Sequence, residues 1–147
     1  DPQKIKDIIM ACECCRLGFA DEESVYIVPL NFGFEECGDK MTFYFHGAKQ
    51  GRKAELVAKK GYAGFELDTN HQLNEDEDPC EFSYRFQSVI GEGPVFIIED
   101  AREKKAALQL IMQHYSPRQD WVFSDAMLQA IIVFKLEVKE MACKEHL

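Results

Sequence analysis

No apolar run in this 147-residue chain exceeds about five residues. A helix that crosses a bilayer needs ~20 apolar residues, so no membrane-spanning helix is expected. Positive charge is also scarce. Lys and Arg number 17 against 26 Asp and Glu, a net charge of −9. Phosphate backbones and anionic lipid surfaces require a basic face, which argues against a general nucleic-acid or membrane binder. No secretory leader is visible, and the chain starts at Asp1 rather than Met, so a short leader is expected upstream and the location is expected to be cytoplasmic. No P-loop, G-x-S-x-G or H-E-x-x-H motif occurs. Gly91-Glu92-Gly93 lacks the third glycine of a dinucleotide fingerprint, because Phe96 stands there. A strand rather than a helix is expected to follow it, which excludes a Rossmann site.

The six cysteines show no spaced disulfide framework, and reduced thiols are the simpler reading. Cys12, Cys14 and Cys15 form a C-x-C-C cluster, but structural zinc wants a second ligand pair downstream. None exists, so no metal site is assigned, and small core residues at a helix end are expected instead. The composition, 46% hydrophobic and 29% charged, suits a single globular domain over residues 1–147.

Periodicity predicts helices over residues 4–14, 51–60 and the segment after Asp100. Asp100 and Glu103 have capping-box spacing there, and Ser116-Pro117 ends the segment. Ser124 is placed to cap a brief fourth helix. Strands are expected at 17–20, 25–34, 41–46, 62–68, 82–90, 95–98 and 131–139, with residues 69–79 a polar loop and Gly91 to Pro94 a bend. Lacking a βαβ rhythm, the pattern fits a mainly β, antiparallel barrel with peripheral helices.

The most informative segment is His46-Gly47-Ala48-Lys49-Gln50-Gly51-Arg52-Lys53. Lys49, Arg52 and Lys53 crowd the start of an expected helix in an acidic chain. The helix N-terminus already carries positive partial charge, and each cation there costs about 0.3–1 kcal/mol. A bound anion would resolve the conflict, with free N–H groups, Arg52 and Lys53 converging on a phosphate. Gly47 and Gly51 would let the backbone approach it. A solvated basic turn is the plain alternative. Pro29 and Gly33 interrupt an aromatic strand just before this segment, as an edge strand with a bulge would, or to offer unpaired backbone to a planar ring. His46 ends a strand beside the loop, and its adjustable charge suits either proton donation or fixing of the loop.

The ordered series Tyr26-Ile27-Val28-Pro29-Leu30-Asn31-Phe32-Gly33-Phe34, Tyr44-Phe45-His46-Gly47-Ala48, Gly51-Arg52-Lys53, Phe65-Glu66-Leu67-Asp68 and Tyr84-Arg85-Phe86-Gln87-Ser88-Val89-Ile90-Gly91-Glu92-Gly93 resembles the pyridoxamine 5′-phosphate oxidase-related flavoproteins. Within that group it is most similar to the nitroimidazole-resistance (Nim-like) branch. The resemblance implies an FMN-binding split β-barrel of Greek-key antiparallel type, paired as a homodimer with FMN at the interface. It implies that Arg52 and Lys53 hold the phosphate, that Gly47, Ala48 and Gly51 shape the loop, and that Pro29, Leu30 and Asn31 border the isoalloxazine. Ser88 is implied near the phosphate or ribityl chain, His46 as a cofactor contact and candidate catalytic residue, and Trp121 of the second chain near the pocket. The activity implied is an oxidoreductase passing electrons from NAD(P)H to a small acceptor such as a nitroaromatic. The alternative is a non-catalytic carrier of flavin, or of haem, on the same fold.

Overall fold

The computed structural model describes residues 1–147. Its element order is α1 (Pro2–Ala11), β1 (Cys15–Asp21), β2 (Ser24–Leu30), β3 (Gly33–Cys37), β4 (Lys40–Ala48), α2 (Arg52–Lys60), β5 (Tyr62–Asn74), β6 (Ser83–Ile98), α3 (Ala101–Tyr115), α4 (Asp125–Ala130), β7 (Ile131–Glu137) and β8 (Glu140–His146), with a 3-10 turn at Pro79–Glu81. All strand pairings are antiparallel. The strands lie in the order β2-β1-β5-β6-β7-β4-β3, with β8 added against β6. Because β2 and β3 end this path, the hydrogen-bonded sheet wraps without closing. The fold is a mainly antiparallel split barrel with peripheral helices.

Phenylalanine fills the barrel. Phe19, Phe32, Phe43, Phe45 and Phe134 are all fully buried. Phe43 sits among them, with ring centroids 4.9 Å from Phe65, 5.1 Å from Phe34 and 5.8 Å from Phe32. No polar or charged residue is buried, so the interior carries no unpaired charge to offset.

The helix starts follow local chemistry. The Asp100 side chain accepts from the Glu103 N–H, and that of Ser124 from the Met127 N–H, each satisfying an orphan donor. The first helix ends three residues earlier than its periodicity predicts, because Cys12 turns to extended backbone and Cys15 already enters β1 as a fully buried residue.

Three expectations about strands are corrected. The segment 25–34 is two strands, β2 and β3. At the break the Phe32 N–H donates to the Tyr115 hydroxyl, which in turn donates to the Glu13 carbonyl. The polar stretch 69–79 is not all loop, since β5 runs on to Asn74 as an arm paired with β6. The two strands expected at 82–90 and 95–98 are one 16-residue strand, which pairs with β5 through Pro94 and then with β7 from Val95. Its glycines serve close approach rather than a break. A Cβ on Gly93 would lie 2.0 Å from the Glu137 carbonyl oxygen, and one on Gly91 would lie 2.3 Å from that of Glu140. The chain joining β7 to β8 crosses directly over both. The strand β8 is an eighth strand beyond those expected, with Met141 and Cys143 half-buried against the core.

No helix is long and apolar enough to cross a membrane.

Candidate functional site

The basic segment spans the end of β4 and the start of α2. His46, Gly47 and Ala48 pair with Val133, Ile132 and Ile131 of β7, so the loop 49–51 springs from a rigid strand. Gly51 adopts φ 124°, a conformation that favours glycine. It occupies the N-cap position of α2 but offers no side-chain cap. The first N–H groups of the helix therefore lack the partner that a Ser or Asp would supply. Lys59 and Lys60 lie at the helix C-terminus, where the dipole favours them, whereas Arg52 and Lys53 lie at the N-terminus, where it does not.

Gly47 is explained by Lys53. A Cβ at position 47 would fall 2.5 Å from Lys53 Nζ, so the missing side chain makes room for the ammonium. Burial lowers the Lys53 pKa. The His46 pKa is lowered too, first by partial desolvation of a side chain that remains exposed and then by the Lys53 charge. Both causes favour the neutral imidazole beside the Lys53 ammonium. Arg52 reaches the other way, to the β1–β2 hairpin, where Nη2 donates to Ser24 Oγ at 3.2 Å. This cradle of uncapped N–H groups, two cations and a glycine floor fits a phosphate-bearing cofactor. Gly47→Ala is expected to leave stability nearly unchanged, because Lys53 is flexible and can yield. The displaced ammonium should weaken binding of a phosphorylated ligand several-fold, which titration of the variant measures.

The other expected site residues are less concentrated. Pro29 and Asn31 are exposed at the rim, but the Leu30 side chain lies in the core, leaving its backbone alone as a surface. Gly33 has a packing role, since a Cβ there would lie 2.7 Å from the Ile111 backbone nitrogen. Ser88 does not join the cluster within one chain. It lies on β6, paired with Asp68 and Lys144, three strands along the sheet from the β2 strand that carries Ser24. The largest cavity against the basic loop, about 590 Å³, opens beside Ala54, Glu55 and Ala58 rather than beside Arg52 and Lys53. Trp121 is half-exposed, with its indole N–H donating to the Arg118 carbonyl.

Cys12 and Cys15 are buried in the core, and Cys14 is half-buried. Burial pushes the Cys12 thiol up to about 12 and Cys15 well above its ordinary value, which makes both inert. No cluster of His, Cys, Asp and Glu is arranged to hold a metal ion.

An ionic network on the outer sheet face went unread in the sequence. Arg16 Nη1 lies 2.9 Å from both Glu66 and Asp68, and His71 Nε2 lies 2.6 Å from Asp68. Burial pushes the Glu66 carboxyl up, while its hydrogen bond with Glu66, followed by the Arg16 charge, holds Asp68 down. Two acids at alternate strand positions, both on the outward face, were the available signal. Only strand pairing brings Arg16 to them.

The family model described as pyridoxamine 5′-phosphate oxidase matches residues 1–145. Among solved structures, a candidate 5-nitroimidazole antibiotic resistance protein from Bacteroides thetaiotaomicron is 33% identical, with a TM-score of 0.84 over 97% of this chain and 82% of that one. The flavocytochrome Anf3 from Azotobacter vinelandii is 21% identical, with a TM-score of 0.80 over 100% and 68% of the two chains. An FAD-binding protein from Mesorhizobium loti is 16% identical, with a TM-score of 0.68 over 100% and 96%. The last two share the fold. No curated protein matches the chain.

Proposed function

The chain belongs to the pyridoxamine 5′-phosphate oxidase family, and on that footing we propose that it binds FMN and reduces small acceptors with reduced nicotinamide. The observation that carries this reading is the uncapped, doubly cationic start of α2 above Gly47. Arg52, Lys53 and the helix N–H groups would hold the phosphate, with Ala48 and Gly51 shaping the loop. The exposed backbone at Pro29 and Asn31 would border the ring. Bound FMN would supply reversible two-electron chemistry, from reduced nicotinamide to a nitroaromatic acceptor whose reduction to the nitroso compound consumes two protons and releases water. His46 presents one N–H beside the loop. A phosphate dianion next to Lys53 would offset the lysine charge and let the imidazole hold a second proton, the state required for donation.

The site is completed, in this proposal, by a second copy of the chain. Val25 and Ile27 are 68% and 65% exposed, and Ile90 is 55% exposed. They share the outer face of β2, β1, β5 and β6 with Pro29, and with Gly18 and Gly64, which sit side by side in register with Ile27. Nothing lies within 4 Å of the Cβ position of Gly18. A two-fold partner on this face would cover the apolar strip and bring its own Ser88 toward the first chain's cofactor. Ile27→Asp is expected to give a monomer by light scattering and to lose FMN together with the dimer. A stable dimer with full FMN affinity would refute this interface.

The test of the function is spectral. Purified protein reconstituted with FMN should show a flavin absorption spectrum that bleaches with NADPH and recovers with a nitroaromatic. Flavin that never turns over would leave a carrier. A Soret band after addition of haem, with no uptake of FMN, would replace the cofactor assignment.

A further inference from the structure

We infer that the tip of the β1–β2 hairpin positions Arg52 for the cofactor phosphate, with Ser24 and Tyr26 as the positioning residues. The inference rests on the phosphate site proposed above. Arginine presents a planar fork of five N–H donors on a long, rotamer-rich stem. On an exposed helix start that stem would sample many rotamers, and binding would have to freeze it. Three groups of the hairpin instead hold the guanidinium beforehand. Arg52 Nη2 donates to Ser24 Oγ at 3.2 Å. The Ser24 hydroxyl donates in turn to the Asp21 carbonyl at 2.9 Å, which orients its lone pair toward the arginine. The guanidinium carbon sits 4.8 Å from the centroid of the Tyr26 ring, within cation–π range. The Asp21 carboxylate lies 3.9 Å from Nη2, a looser pair.

These contacts engage one Nη2 hydrogen and one face of the guanidinium, leaving Nε–H, Nη1 and the second Nη2 hydrogen for a ligand. One of the two bidentate edges, Nε–Nη2 or Nη1–Nη2, therefore stays free for phosphate oxygens. Pre-ordering the fork removes an entropic cost that binding would otherwise carry. The hairpin therefore acts on the affinity for the phosphate and not on that for the flavin ring.

The experiment measures dissociation constants for FMN and for riboflavin, which lacks the phosphate, on Ser24→Ala, Tyr26→Leu, Tyr26→Phe and Arg52→Ala, with thermal unfolding as a check that each variant is folded. Ser24 is exposed at a hairpin, so Ser24→Ala keeps the proposal testable if Tyr26→Leu, which loses packing as well, fails to fold. The expected result is three- to tenfold weaker FMN binding for Ser24→Ala and Tyr26→Leu, unchanged riboflavin binding, and wild-type behaviour for Tyr26→Phe, which keeps the ring face. Equal losses for both flavins, or no loss for either, while Arg52→Ala still lowers FMN affinity selectively, would overturn the positioning role alone. An Arg52→Ala variant that binds FMN as well as wild type would overturn the phosphate site on which it rests.

Discussion

Replacing Arg52 and Lys53 together by alanine is expected to weaken FMN binding by roughly a hundredfold or more. Each lost charge-assisted contact is worth about 1.5–3 kcal/mol, and every 1.4 kcal/mol is about a factor of ten. The double loss thus spans about two to four decades. By the dipole alone, removing cations from the positive end of α2 should leave the cofactor-free protein as stable as before or slightly more so. The structure tempers that expectation. Arg52 is held against Ser24 and Tyr26, and the Lys53 stem fills the space above Gly47. These contacts offset a dipole penalty of about 0.3–1 kcal/mol per cation, so thermal unfolding without cofactor should differ little from wild type. Flavin fluorescence titration measures the first effect and calorimetry the second. Unchanged FMN affinity in the double variant would remove the physical basis of the proposed site.

The largest expected effect on folding is at Gly93. Alanine there sets a Cβ 2.0 Å from the Glu137 carbonyl oxygen and 3.2 Å from the Leu136 side chain. The obstacle is the backbone of Glu137, the last residue of β7, which cannot rotate away as a side chain can. Overpacking a core commonly costs about 1–3 kcal/mol and sometimes more. A backbone clash at the point where β6 passes from β5 to β7 belongs at the upper end of that range. Gly93→Ala is expected to lower the unfolding midpoint sharply or to prevent folding, as read by circular dichroism on heating. Gly18→Ala is the matched control. Its Cβ meets nothing within 4 Å, and alanine in a strand costs less backbone entropy than glycine, so the isolated chain should be as stable or slightly more so. Equal tolerance at both positions would mean that the β7–β8 crossing is not as tight as the geometry requires.

Local signals survived folding where the physics is local. The Asp100 and Ser124 caps and the end of α3 before Pro117 all depend on neighbours within four residues, and the sequence displays them directly. The basic segment was legible for a related reason. Charge opposed to a helix dipole is a conflict visible in one dimension. Gly33 and Gly93 were not legible, because each glycine answers to a partner far along the chain, Ile111 in one case and Glu137 in the other. A bend is the natural expectation for Gly-x-Gly-Pro, and only the crossing chain shows that the strand runs straight through. β8 was hidden because Met141 and Cys143, separated by Ala142 and followed by three polar residues, make too short an alternation to read before β6 offers an edge to pair with.

The amino-acid order alone settled the fold class, the family resemblance and the cationic loop, since these rest on periodicity, motif order and charge within short windows. The packing of the chain decided which residues meet. It turned Arg52 toward a hairpin 28 positions away, joined Arg16 to Glu66 and Asp68 across two strands, and within one chain set Ser88 on a strand remote from the basic loop. Such meetings are long-range because strand pairing brings together residues that no local window contains.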